Sequence, residues 1–248
     1  MLEAAAWGLL GASSLLAGAL IGTRRRAIPT RALGLILGFG AGTLFSAVAF
    51  ELTEDAYNLG GADAVALGLA FGALAYFAGD QVIRRRGGDD RMSPHGRRPD
   101  GPPQGGDSAA LLLGAVLDGI PESAVIGISL LGGQRVSVAV LAAVFLSNLP
   151  EAIGSSAGMH KEAIATRHIL LIWLLVVLAS GAAAALGYGL LKGASGNTVA
   201  LIEAFAGGAV LTMLVDVMIP QARTEGGPPV GLATVLGFAL AYLLSTLE

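Results

Sequence analysis

Eight apolar runs, each about 20 residues long, govern what this chain can become. They cover roughly 4–22, 32–51, 62–83, 109–131, 136–158, 167–190, 198–219 and 229–247. About 20 residues of α-helix cross the ~30 Å of hydrocarbon in a bilayer. In lipid every backbone N–H and C=O must be satisfied within the chain, so such runs are expected to be helices. The chain is 54% apolar and only 13% charged, where soluble domains carry about 25%. The expected fold class is an all-α polytopic membrane protein of eight transmembrane helices in one domain. There is no cysteine, which removes disulfides, thiolate metal sites and cysteine catalysis together.

The charges are segregated, so the net charge of −3 says little about partners. No basic segment precedes the first run, and Arg24, Arg25 and Arg26 follow it. This is the reverse of a secretory signal, and we read a retained helix with its N-terminus outside. Eight spans then put Arg24, Arg25, Arg26, Arg31, Arg84, Arg85, Arg86, Arg91, Arg97, Arg98, Lys161, Arg167 and Arg223 inside, and only Arg135 and Lys192 outside. That asymmetry obeys the positive-inside rule. Residues 84–108 are charged, rich in Gly and Pro and nearly free of apolar residues, and a disordered cytoplasmic loop is expected there.

Two short segments interrupt this apolar pattern with chemistry. They read Leu117-Asp118-Gly119-Ile120-Pro121-Glu122 and Leu146-Ser147-Asn148-Leu149-Pro150-Glu151. Pro121 and Pro150 each remove a backbone donor and should bend or open their helices, freeing the carbonyls of Leu117 and Leu146. A glutamate inside a membrane is costly unless protonated, paired or bound to a cation, and neither run contains Lys or Arg. Asp118 and Glu122 share a helix face, as do Ser147 and Glu151. One such segment could be a packing kink with a structural hydrogen-bonder. Two matching segments on neighbouring helices point to a cation site with a formal charge of up to −3. Counting at ~1.5 Å per residue from the turn near Gly132 puts Asp118, Glu122, Ser147 and Glu151 in one depth band near the midplane.

An internal repeat is also legible. At an offset of 166, Phe39 meets Phe205, Gly42 meets Gly208, Leu44 meets Val210 and Ala56 meets Ala222. Helices 1–3 and 6–8 are therefore expected to form an inverted repeat around the central 4–5 pair, a common transporter plan. Small residues at four-residue spacing, such as Gly34, Gly38 and Gly42 or Gly68 and Gly72, allow close helix approach.

The stretches LDGIPESAVIGIS, FLSNLPEAIGSSAGM and FAGGAVLTMLVDVMIP resemble the ZIP (Zrt/Irt-like) family of divalent-metal transporters, in a His-poor, bacterial-type form. The resemblance implies eight helices, both termini outside a bacterial plasma membrane, and a metal site on helices 4 and 5. By position it assigns Glu122 and Glu151 as central, bridging carboxylates. Asp118 and Ser147 stand where the family often has nitrogen ligands, Gly119 stands where it often has an asparagine, and Asn148 holds a position that can serve a second metal. The implied substrate is a divalent metal ion such as zinc, iron or manganese, with no organic cofactor. The lipid bilayer is the implied surrounding, and a homodimer is compatible with the plan. Neither helix carries a histidine, and helix 6 carries no acid. Oxygen ligands suit harder ions, so a harder or broader ion set than that of a His-bearing relative is expected.

Other polar residues carry weaker readings. Glu51, Glu54 and Asp55 should end helix 2 at the outer mouth, where they could draw cations; Glu51 is the better placed, while Glu54 and Asp55 read as a solvated helix end. Asp216 could line the exit path or cap a neighbouring loop. Glu203 and Asp80 read as structural, and His160 and His168 as surface residues. Trp7 and Trp173 read as lipid-facing or packing residues. The expected function is divalent-cation transport, with a non-transporting metal-binding or structural membrane protein as the alternative. An enzyme is not expected, because no His-Glu-x-x-His helix or nucleophile constellation is present, and neither is a nucleic-acid partner.

Overall fold

A computed structural model of the chain describes residues 1–24, 29–85, 107–131, 136–161 and 163–247; for 107–114, Asp118 and Lys161 it describes the backbone alone. The expected loop at 84–108 and the turn near Gly132 lie for the most part outside these residues. Among the described residues the protein is all-α, with no strand. The helices are α1 (Leu2–Gly22), α2 (Thr30–Ala47), α3 (Thr53–Arg85), α4 (Asp107–Ile128), α5 (Val138–Lys161), α6 (Thr166–Leu191), α7 (Gly196–Met213), α8 (Ile219–Gly226) and α9 (Val230–Ser245). Five helical segments among the described residues are long and apolar enough to cross a bilayer. Many of their Leu, Val and Phe side chains face outward, including Leu20, Leu74, Leu178 and Leu190. Several long apolar helices with apolar exteriors suggest an integral membrane protein.

Two boundaries differ from expectation. The second run was expected to stop at 51, with Glu54 and Asp55 as its end. Instead the chain passes from α2 through a π-helical turn, Val48–Leu52, into Thr53 and the first piece of α3. The seventh run was expected to stop at 219 but continues through a second π turn, Leu214–Met218, into α8. Hydropathy registers where lipid contact ends. A helix leaving the apolar layer keeps making its own backbone bonds. α4 and α5 each continue as one helix past Pro121 and Pro150. π turns follow α2 and α7.

Each π turn has a local cause. Thr53 gives both its backbone N–H and its hydroxyl (2.7 Å) to the Val48 carbonyl, five residues back. In the second turn Ile219 N–H reaches Leu214 in the same way. Pro220 has no N–H to offer the Asp216 carbonyl, and that oxygen accepts from Arg84 Nη2 at 3.3 Å. Arg84 also pairs with the buried Asp80.

The two π turns lie 166 residues apart, and so do the bounds of α2 and α7. So do the chain breaks at Gly61 (φ 73°, ψ −174°) and Gly227 (φ 72°, ψ −156°). Both glycines occupy a backbone region open essentially to Gly alone, and a Cβ at either would touch nothing. Gly61→Ala and Gly227→Ala should therefore each cost about 1–3 kcal/mol through backbone strain alone, read as matched losses in thermal stability.

The helices pair in the same pattern in both halves. α2 lies along α9, and α3 along α7. α5 packs on α1, and α4 on α6, with α1 and α6 in contact between them. Small residues permit the approach: Gly34 meets Gly226, Gly68 meets Ala204, and Gly18 meets Ala152. Trp173, buried on α6, gives its indole N–H to Ser156 on α5 at 2.8 Å. Met1 packs on Gly189, so the start of α1 and the end of α6 share one end of the bundle.

Candidate metal centre

α4 and α5 carry the polar residues that the apolar bundle must enclose. Glu122 is 4% exposed and Glu151 7%, while Ser147 and Asn148 on α5 and Ser123 on α4 are also buried. Placing a carboxyl group in such surroundings is expensive, and residues so placed in membrane proteins tend to serve ions or protons. No Lys, Arg or His occurs in 107–131 or 136–158 to offset the two acids from their own helices.

Packing fixes their relative depth. Gly11 on α1 faces Ile126, Leu141 and Val144, whereas Gly18 faces Leu149 and Ala152. Glu122 is about one turn further from the Met1 end than Ile126, and Glu151 lies at the level of Gly18. At ~1.5 Å per residue the two carboxylates differ in depth by roughly 5 Å.

One side of Glu122 is walled by apolar side chains. It borders a void of about 10 Å3 with Leu44, Val48, Leu52, Val140 and Val210. That volume is at the lower limit for a single water. Val48 and Leu52 belong to the first π turn, so this turn closes one side of the void. The Ser147 hydroxyl donates to the Val144 carbonyl at 3.0 Å, which leaves its oxygen lone pairs for an incoming cation. α2 presses against this part of α5, where a Cβ on Gly40 would stand 3.0 Å from Ser147 Cα and 3.1 Å from the Leu146 carbonyl oxygen. The Leu146 carbonyl is one of the two that the prolines deprive of a helical partner.

Of the expected ligands, Glu122, Ser147, Asn148 and Glu151 are thus buried on the two central helices. The side chain of Asp118 lies outside the described residues. Gly119 faces Ser180 on α6, where an added Cβ would be 3.4 Å from the Ser180 hydroxyl. Among the described residues no three His, Cys, Asp or Glu side chains stand together as a metal cluster. Any shell built there from these residues is two carboxylates plus neutral oxygens. Glu51 and Asp216 each sit inside a π turn, Glu51 half-buried and Asp216 exposed. His160 and His168 are exposed.

Sequence reasoning set aside one acid that the structure brings forward. Glu203 on α7 is buried and lines a cavity of about 640 Å3 with Asp55, at the end of the bundle that holds Met1. The available signal was a lone Glu within the apolar run Ala200-Leu201-Ile202-Glu203-Ala204-Phe205. Neither a protein-family model nor a curated protein matches this chain.

Proposed function

We propose that the protein carries a divalent metal cation across the membrane by alternating access, using oxygen ligands on α4 and α5. The observation that carries this reading is the pair Glu122 and Glu151. Both are buried within stretches, 107–131 and 136–158, that hold no Lys, Arg or His, at neighbouring depths, beside the neutral oxygens of Ser147 and Asn148. Asp118 joins them by sequence position. Two carboxylates neutralise one divalent charge, and the hydroxyl and carboxamide oxygens replace part of its water shell. The resemblance of the two Pro-Glu stretches to the ZIP family supports the same reading, with eight spans and both termini outside. Recurrence of helix bounds, π turns and glycine breaks at one offset supports an inverted repeat around the α4–α5 pair. In this scheme the pair rocks with its neighbours against the other helices, exposing the ion first to one side and then to the other.

The oxygen-only ligand set favours a harder or broader ion range. In proteoliposomes Mn2+ uptake should exceed that of empty vesicles and be inhibited by, but not exclusive to, Zn2+. Exclusive high-affinity Zn2+ uptake would count against the oxygen-ligand assignment. A second reading, a non-transporting metal-binding or structural membrane protein, is favoured by the absence of histidine from 107–131 and 136–158. Saturable Mn2+ binding without flux would select it.

A further inference from the structure

The cavity at the Met1 end is walled by the first piece of α3, the ends of α4 and α6 and the start of α7. Asp55 and Glu203 line it from opposite helices, with the carboxamide of Asn58 and the hydroxyl of Ser129 nearby. Glu203 is only 9% exposed, and its Oε2 accepts no hydrogen bond among the described residues. We propose that this cavity is a second cation site, in which one divalent ion, still largely hydrated, is held between Asp55 and Glu203.

Four observations carry the assignment. The first is energetic. A buried carboxylate oxygen without a partner is costly, and Asp55 adds repulsion to it because the two charges act on each other. A cation between them removes both penalties. The second is that Lys192, which also lines the cavity, forms no ion pair with either acid among the described residues; its Nζ lies over the Tyr188 ring, 5.9 Å from the centroid. The third is space. At about 640 Å3 the cavity far exceeds the ~30 Å3 share of one water, so an ion can enter with its shell. The void beside Glu122, at about 10 Å3, has no such room.

The fourth comes from the recurrence of the fold. The residues 166 positions away from Glu203 and Asp55 are Leu37 and Gln221. Leu37 is buried in the core, and Gln221 donates a hydrogen bond to Glu225. The same helices, π turn and glycine break are thus built in the other half with no acid at either position. Packing does not require Glu203 or Asp55. The site is also separate from the central one, since Ile128 and Ser129 line the cavity and Glu122 lies about 10 Å further along α4. The inference does not depend on transport.

The test uses the full chain in detergent with Glu122→Gln and Glu151→Gln both present, so that the paired central glutamates are neutral, and follows Mn2+ binding by the loss of the free-ion paramagnetic signal. One saturable Mn2+ should remain, resistant to excess K+. Adding Glu203→Gln or Asp55→Asn should weaken it by at least about tenfold. Glu203→Leu, which copies the other half, should fold with unchanged or raised thermal stability and lose the stabilisation by Mn2+. No saturable Mn2+ binding in the doubly substituted background would overturn the proposal. So would displacement by K+, or affinity within about twofold of that background after both cavity acids are neutralised. Because Asp55 is exposed, its substitution keeps the test valid should Glu203 variants fold poorly.

Discussion

Metal flux through protein carrying Glu122→Ala or Glu151→Ala should fall by at least about tenfold, as expected when a metal ligand or its support is removed, while the folded protein survives. The two halves of this expectation have different causes. Flux falls because an ion leaving water needs its lost ligands replaced, and two carboxylates supply both charge and oxygen. The fold survives because the contacts of α4 with α6 and of α5 with α1 and α2 remain when one carboxyl is truncated. Glu122 borders a void at the size limit of one water, among Val and Leu side chains. An ion reaching Glu122 through this void must shed its water, or Val48 and Leu52 must move aside with their π turn. The decisive comparison is uptake in proteoliposomes against thermal stability of the same variants. Normal uptake by both would remove the site.

The largest stability effect is expected where two glycines press on carbonyls. A Cβ on Gly72 would overlap the carbonyl oxygen of Phe205, and one on Gly237 would overlap that of Phe39. Phe39 and Phe205 are themselves 166 residues apart. These contacts sit at the α3–α7 and α2–α9 crossings. The obstacle is backbone, so it cannot rotate away, and relief requires the helices to separate. Gly72→Leu or Gly237→Leu should cost at least about 3 kcal/mol, at or beyond the usual range for overpacking. At this chain length that is a fall in Tm of roughly 6–12 °C, with reduced yield of monodisperse protein. The two losses should be of similar size because the crossings are built alike. A marked inequality would mean that one crossing is far more pliable than its counterpart.

What could be read in advance followed from lipid. Apolar runs near 20 residues became helices because an unsatisfied peptide group is intolerable there, and Gly34, Gly68 and Gly72 became contact points because small residues let backbones meet. The offset read from Phe39 with Phe205 and Gly42 with Gly208 is the offset at which the bounds of α2 and α7 recur. Glu122, Ser147, Asn148 and Glu151 were legible because polar groups in apolar runs are conspicuous, and all four are buried. The rest was hidden for physical reasons. Helices that outrun the hydrocarbon look finished at Glu51 or Ile219, since hydropathy does not register hydrogen bonds. α4 and α5 continue past their prolines because one lost backbone bond does not end a helix held on both sides. The placing of Glu203 in one cavity with Asp55 was hidden because Asp55 comes from a different helix, 148 positions earlier.

The π turns have one more consequence, for phase. Each slips a surplus residue into the helical path, and one residue is worth about 100° of rotation at 3.6 per turn. A helical-wheel projection drawn straight from Thr30 to Gly60 therefore aims everything beyond Leu52 in the wrong direction. Asp55 falls on the swivelled side of that seam. Dropping a single amino acid from 48–52 would straighten the rod and swing Asp55 by roughly a quarter turn away from Glu203, with no change in polarity anywhere.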